Sequence, residues 1–469
     1  MTAGEFNSVA RRWFLGQCGV GLGSAALAEL LPSVATGADA MRPRPAQFEG
    51  RAKAVIHLFM AGAPSQLELF DHKPLLSKLE GKPLPESVIG GQRYAFIQPD
   101  AAVLGPRFKF RRTGESGAEL STAVPHLSNI SDDICLIRSM HTDQFNHAPA
   151  QLLLNSGFSQ PGRPCLGSWA TYGLGAASRN LPSFVVMTMG GISGGNALWS
   201  SGFLPTVHTG VRFRSQGPPV LNLDSPSGIS AQDQANTFEV LKDLNSQRLQ
   251  AIQDPEIATR IAAFEMSARM QASAPELMDL SSETPETLSM YGCDPDKPSF
   301  ARSCLLARRM VERGVRFINI FRSGWDAHSN VEGNVRSGCQ VTDRASAALV
   351  KDLKQRGMLD ETLVIWGGEF GRTPMVETNP SLGRAQGRDH HPQAFTMWMA
   401  GGGIRSGMTL GQTDDFGFHV IESPVHVYDL QATVLHCLGF DHERLTYHHA
   451  GRDFRLTDVH GRVVSEILA

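Results

Sequence analysis

Six runs of apolar residues recur along the chain: Ala54 to Met60, Ile134 to Ile137, Phe184 to Met187, Phe317 to Phe321, Leu363 to Trp366 and Phe395 to Met399. Successive rather than alternate positions are apolar in each. That is the pattern of a strand buried on both faces, as in a parallel sheet covered by helices. Between the fourth and fifth runs, Val341, Ala345, Ala348, Leu349 and Leu353 recur at helical spacing and stop before Gly357, which predicts a crossover helix ended by glycine. Strand, crossover helix, strand is the βαβ unit, so the predicted class is α/β, a mostly parallel sheet flanked by helices. Residues from about 232 to 313 are polar with helical periodicity through Phe238, Leu241, Leu244, Ile252 and Met270, with a last helix ending at Gly314. They predict a helical insertion on the flank of the sheet or over its carboxyl edge. Residues 190–230, rich in glycine, serine and proline, predict long surface loops.

Near the N-terminus, Arg11-Arg12-Trp13-Phe14-Leu15 precedes a glycine-rich apolar segment and the small-residue exit Ala38-Asp39-Ala40. This predicts a twin-arginine export signal over residues 1–40, a mature domain over 41–469 and a periplasmic or extracytoplasmic location. Glycines and Glu29 interrupt the segment well short of about 20 consecutive apolar residues, so no stable membrane span is expected in the mature form. Gly19-Val20-Gly21-Leu22-Gly23 follows no strand and is discarded as a dinucleotide loop. Six cysteines lie beyond residue 40, none in a Cys-x-x-Cys spacing, and buried unpaired thiols are expected.

Composition narrows the partners. The formal net charge is −3 across 469 residues, with 19% charged; no basic stripe is present to neutralise nucleic-acid phosphates. No nucleic-acid partner is expected. No linker-like stretch divides the mature chain, so one domain with an insertion is expected.

The chemistry collects beside three of the strands. After the fourth run comes Gly324-Trp325-Asp326-Ala327-His328, after the fifth Gly367-Gly368-Glu369-Phe370-Gly371-Arg372-Thr373-Pro374, and before the sixth Gly387-Arg388-Asp389-His390-His391-Pro392. Strand ends are where open α/β sheets place ligands. Asp326, His328, Glu369, Asp389 and His390 are therefore candidate ligands of one divalent metal. Mixed carboxylate and imidazole donors suit zinc or manganese, and an oxygen-rich subset would suit magnesium or calcium. Structural alternatives stand beside this: Asp326 as a cap for a helix starting near Asn330, Glu369 paired with Arg372, Asp389 with Arg388.

A fourth segment, His141-Thr142-Asp143-Gln144-Phe145-Asn146-His147-Ala148-Pro149-Ala150-Gln151 through Ser156-Gly157, resembles the Cys/Ser-x-Pro-x-Arg nucleophile segment of sulfatases in the alkaline phosphatase superfamily. Its positions are filled here by His147, Pro149 and Gln151. Asp360 to Val364 with Gly368-Glu369-Phe370-Gly371 resembles that superfamily's late strand, Asp343 falls where it often has an aspartate, and Tyr428 to Leu435 is similar to its closing helix. The twin-arginine start, Trp325-Asp326-x-His328, Gly-Glu-Phe-Gly-Arg-Thr-Pro and Gly-Arg-Asp-His together are similar to an uncharacterised family of exported, sulfatase-like proteins.

The resemblance implies an alkaline-phosphatase-like fold and a metal-dependent hydrolase of a phosphate or sulfate ester, acting on an anionic small molecule or polysaccharide and using the twin-arginine export machinery. It implies no formylglycine chemistry, because His147 cannot be converted to that nucleophile, and Ala61 to Gln66 lacks the aspartates expected after the first strand. The alternative is a non-catalytic relative binding a charged polysaccharide or a protein partner at the cell surface. His147 is left open as proton donor, general base or further ligand. Arg372 and Arg388 are left open as clamps on an anionic ester or as partners of nearby carboxylates.

Overall fold

Each of the six apolar runs is a strand in the computed structural model, which describes residues 41–90, 101–214, 219–220, 228–252 and 255–469. The expected twin-arginine segment, residues 1–40, lies outside them. The nine strands of the main sheet are β1 (Ala54–Met60), β2 (Cys135–His141), β3 (Phe184–Met189), β4 (Val211–Phe213), β5 (Phe317–Arg322), β6 (Thr362–Gly367), β7 (Phe395–Ala400), β8 (Met408–Leu410) and β9 (Val425–His426). Their order is β8-β2-β7-β6-β1-β5-β3-β4, with β9 also on β2. All pairings are parallel except those of β7, which runs antiparallel to β2 and β6. The reversal has a direct consequence: the segment before β7 emerges at the edge where β1, β2, β5 and β6 end.

Alternate residues of the central strands feed two cores. Ile56, Leu58, Met60, Ile318, Ile320, Val364 and Trp366 face one side, and Val55, Phe59, Phe317, Phe321, Leu363 and Ile365 the other. Burying such side chains contributes about 1.5–3 kcal/mol each. Among the helices are α1 (Gln66–Leu69), α2 (His147–Ser156), α3 (Leu166–Leu174), α4 (Ala231–Ile252), α5 (Pro255–Met278), α6 (Phe300–Glu312), α7 (Val331–Gln355) and α8 (Val427–Cys437); further short helices cover Pro74–Leu79, Glu86–Ile89 and Pro285–Tyr291. Residues of α6 and α7 join the first core, and those of α2, α3 and α8 the second.

The predicted crossover helix is α7, and Gly357 follows it at φ +68°. Its N-cap is Asn330, whose side chain accepts the Gly333 N–H at 3.0 Å, so Asp326 is free of that role. Asp343 on α7 accepts the N–H groups of His126 and Leu127 at 2.8 and 2.9 Å and secures the turn before β2.

The segment expected as a flank insertion divides in two. The pair α4 and α5 pack on one another, leaving Leu244 and Ile252 exposed, whereas α6 is almost wholly buried on the sheet. The loop expected over 190–230 contributes strand β4 at one edge of the sheet. All six described cysteines are free and buried. No described helix is long and apolar enough to cross a membrane.

Candidate metal centre

Four side chains from three parts of the chain meet at the carboxyl edge. Asp326 and His328 leave the end of β5, His147 opens α2 after β2, and His390 precedes β7 in a two-residue ribbon with Gly371–Arg372. His147 holds the first helical position because Asn146 is extended at the N-cap and Pro149 fits the first turn; Gly157 at φ +66° ends the helix.

Each of the four offers one ligand atom within 4.8 Å of all the others. His328 Nε2 lies 3.0 Å, His147 Nε2 3.2 Å and His390 Nε2 3.3 Å from Asp326 Oδ1. The His147 Nε2 atom is buried without a hydrogen-bond partner. The Asp326 side chain is 42% exposed, so the group opens to solvent through its carboxylate. Phe370, buried, lies against His147 and His390 at ring distances of 5.0 and 4.6 Å.

The other ring nitrogens fix the tautomers. His147 Nδ1 meets Glu369 Oε1 at 2.6 Å, His328 Nδ1 meets Glu377 Oε2 at 2.5 Å and His390 Nδ1 meets the Phe145 carbonyl at 2.7 Å. All three partners can only accept, so each Nδ1 carries the proton and each Nε2 lone pair points inward. Three lone pairs and a carboxylate oxygen crowding one point repel each other unless a cation lies among them. In the absence of a metal ion, protons must serve. Burial alone lowers the His147 pKa, but the nearby carboxylates of Asp326 and Glu369 outweigh it and raise it to about 9. The same contest, with Asp326 and Glu377, raises His328. At His390 burial prevails, aided by Arg372, and the pKa falls to about 4. Asp326 is lowered far below the carboxylate range, its burial outweighed by the three imidazoles and Arg372.

The donor set fits a divalent ion that accepts nitrogen and oxygen: three neutral imidazoles backed by acceptors, and one carboxylate. Zinc, manganese and iron match it better than calcium or magnesium, which prefer oxygen.

Of the residues singled out in the sequence, Asp326, His328, His390 and His147 are brought together. Glu369 is not part of the group. Its fully buried carboxylate accepts from His147, from Gln151 Nε2 at 2.9 Å and from the Gly62 N–H at 3.0 Å. Gly62 reaches it at φ +107°, a conformation natural to glycine. Asp389 is not in this group of four but in an adjoining buried one, with His328 and Glu377, whose ligand atoms also lie within 4.8 Å of one another and could hold an ion; it accepts the His390 N–H at 2.7 Å, and burial raises its pKa.

Arg372 is fully buried, with Nη2 2.6 Å from Asp326 Oδ1 and its other donors on the Gly62, Ala63 and Arg388 carbonyls. Arg388 has turned away from the group. Its guanidinium bonds Glu68 at 2.8 and 3.1 Å and the carbonyls of Thr373, Leu104 and Gly105. Sequence reasoning missed Glu377 and Glu68. Glu377 lies in a short ribbon with Arg384, and Glu68 in the four-residue helix α1; neither adjoins an apolar run that would have marked it.

A cleft of about 680 Å³ lies elsewhere, lined by Phe184, Val211 and Met266, and shares no residue with the metal group.

Residues 52–468 match the model of a family described as "Protein of unknown function (DUF1501)". No curated protein matches the chain. Solved structures similar to it include a protein of the alkaline phosphatase superfamily from Vibrio parahaemolyticus (11% identity, 94% of this chain and 75% of that one, TM-score 0.34). A sulfatase from a Pseudoalteromonas species shares 13% identity over 83% of this chain and 68% of its own, at a TM-score of 0.35. Ps i-CgsB, crystallised with k-i-k-neocarrahexaose, shares 11% over 67% of this chain and 66% of its own, at 0.32. At such scores the likeness carries no inference about activity.

Proposed function

The chain belongs to the DUF1501 family of proteins of unknown function, and on that footing we propose that it is an exported, metal-dependent hydrolase of an anionic ester, phosphate or sulfate, without formylglycine chemistry. The observation that carries the reading is the convergence of three imidazole Nε2 atoms on Asp326 Oδ1 at a solvent-open sheet edge. A divalent ion bound there would supply an acidified water and polarise a phosphoryl or sulfuryl oxygen. His147, His328, His390 and Asp326 hold it in this reading. Arg372 fixes the Asp326 carboxylate, while Arg388 supports the ribbon that carries His390. The mature domain is taken as residues 41–469, with residues 1–40 as the twin-arginine signal that sends it to the periplasm. Arg11-Arg12 and the apolar segment after them support that step.

The test is elemental analysis of the purified mature protein beside Asp326→Ala/His390→Ala, followed by phosphate and sulfate ester turnover with and without chelator. About one equivalent in the wild type, none in the variant and chelator-sensitive turnover are expected. Wild-type protein that binds no added zinc or manganese overturns the reading.

One observation favours a second reading. Four side chains lie close enough together to fill a four-coordinate shell without a water, the ligand count of structural sites. In that case the chain is a non-catalytic member whose metal braces a surface for a charged polysaccharide. Metal without turnover, with melting temperature lowered by chelation, would identify it.

A further inference from the structure

Two buried carboxylates stand one step behind the group, and neither belongs to the four converging side chains. Glu369 is fully buried and holds His147 Nδ1 at 2.6 Å; Glu377 is fully buried and holds His328 Nδ1 at 2.5 Å. Glu369 is further fixed by Gly62 and Gln151, and Glu377 by Arg384, whose Nη1 is 2.5 Å from its other oxygen. His390 is different, because its Nδ1 meets only the neutral Phe145 carbonyl.

We propose that Glu369 and Glu377 are positioning residues of the metal centre. They hold His147 and His328 as Nδ1–H tautomers with Nε2 turned inward, and their charge makes those two rings stronger donors than His390. The inference rests on the metal reading above and adds to it an unequal set of ligands, two imidazoles backed by full charges and one by a dipole. An acceptor behind a ligating imidazole fixes the ring and raises its basicity, and losing such a partner weakens metal binding by about 10–100-fold. Glu369 thereby changes role from a candidate ligand to the residue that makes His147 a ligand.

Glutamine can still accept from Nδ1–H but has no charge, so Glu369→Gln and Glu377→Gln test charge with little change of shape. The affinity of the mature protein for zinc is measured against a competing chelator, and the visible spectrum is recorded after loading with cobalt. Each variant is expected to retain one equivalent at saturation, to bind about 10–100-fold more weakly and to shift the cobalt bands. Unchanged affinity and spectrum in both variants would overturn the inference while leaving the metal reading intact. A wild type that binds no zinc or cobalt would remove both.

X-ray absorption of the zinc-loaded wild type guards against variants that fail to fold. Three imidazoles and one carboxylate around the ion are expected. A second carboxylate in the shell would make Glu369 or Glu377 a direct ligand and overturn the proposal.

Discussion

Two charged clusters lie side by side at the same edge of the sheet, and their contrast is instructive. Around Asp326, three imidazole Nε2 atoms and the Arg372 guanidinium share one carboxylate oxygen, and the His147 Nε2 atom makes no hydrogen bond. Around Arg388, every hydrogen bond is matched: Glu68 and Arg388 are both fully buried, and the guanidinium also bonds three carbonyls. Histidine, aspartate and arginine near strand ends look alike in sequence. The folded chain separates a cluster in which three imidazole Nε2 atoms crowd one carboxylate oxygen from one whose charges pair within it. Buried polar groups are normally satisfied, so the first arrangement points to a ligand and the second to architecture.

Removing His328 tests the first cluster most severely. His328→Ala should abolish stoichiometric zinc binding while leaving the far-ultraviolet circular dichroism unchanged; a variant that still holds one tightly bound equivalent would break the contrast. Arg388→Met tests the second. Leaving Glu68 buried and unpaired should cost about 3–5 kcal/mol in denaturant unfolding, and Glu68→Met added to it should recover much of that loss. If Arg388→Met instead removed metal with no loss of stability, the two clusters would be one.

Acidity separates the regions more finely. His147, raised to about 9 from an ordinary 6.5, carries a proton at neutral pH in the metal-free protein, and a metal must displace it. Zinc affinity should therefore rise with pH up to about 9, with proton release visible by calorimetry in buffers of different ionisation enthalpy. The metal-free fold should show the opposite slope. The contribution of His147 is fully present below about pH 6.5 and is lost as pH rises through about 9, which the difference between wild type and His147→Gln in denaturant would reveal. The smallest effect is expected at Phe145, whose side chain is 50% exposed and whose main chain alone supports His390. Phe145→Ala should leave zinc affinity within about twofold and stability within about 0.5 kcal/mol.

Much of this was legible in the residues. All six apolar runs are strands because burial on both faces leaves a continuous apolar pattern, and α7 followed from its periodicity. Asp326, His328 and His390 were identified by their places beside those strands. The direction of β7 was not legible, since an apolar run reads the same either way, yet that reversal is what brings His390 to the others. The role of Glu369 was also hidden: a carboxylate after a strand has the same sequence signature whether it faces a metal or the back of an imidazole. Glu377, in a short ribbon without an apolar run, gave no signal. Strand β4 was lost among the glycines and prolines of residues 190–230, where three residues are too few to establish a pattern.

The four converging side chains are far apart along the chain. Asp326 and His390 are separated by 64 residues, and His147 by 222 from the glutamate behind it. Only Asp326 and His328 are neighbours, and two ligands make a weak site. An unfolded or half-folded chain therefore offers an ion almost nothing to hold, and the full set exists only after β2, β5 and β7 have taken their places. An ion captured there arrives last and acts as a latch on the finished sheet. It would slow unfolding while leaving the early steps of folding unaided.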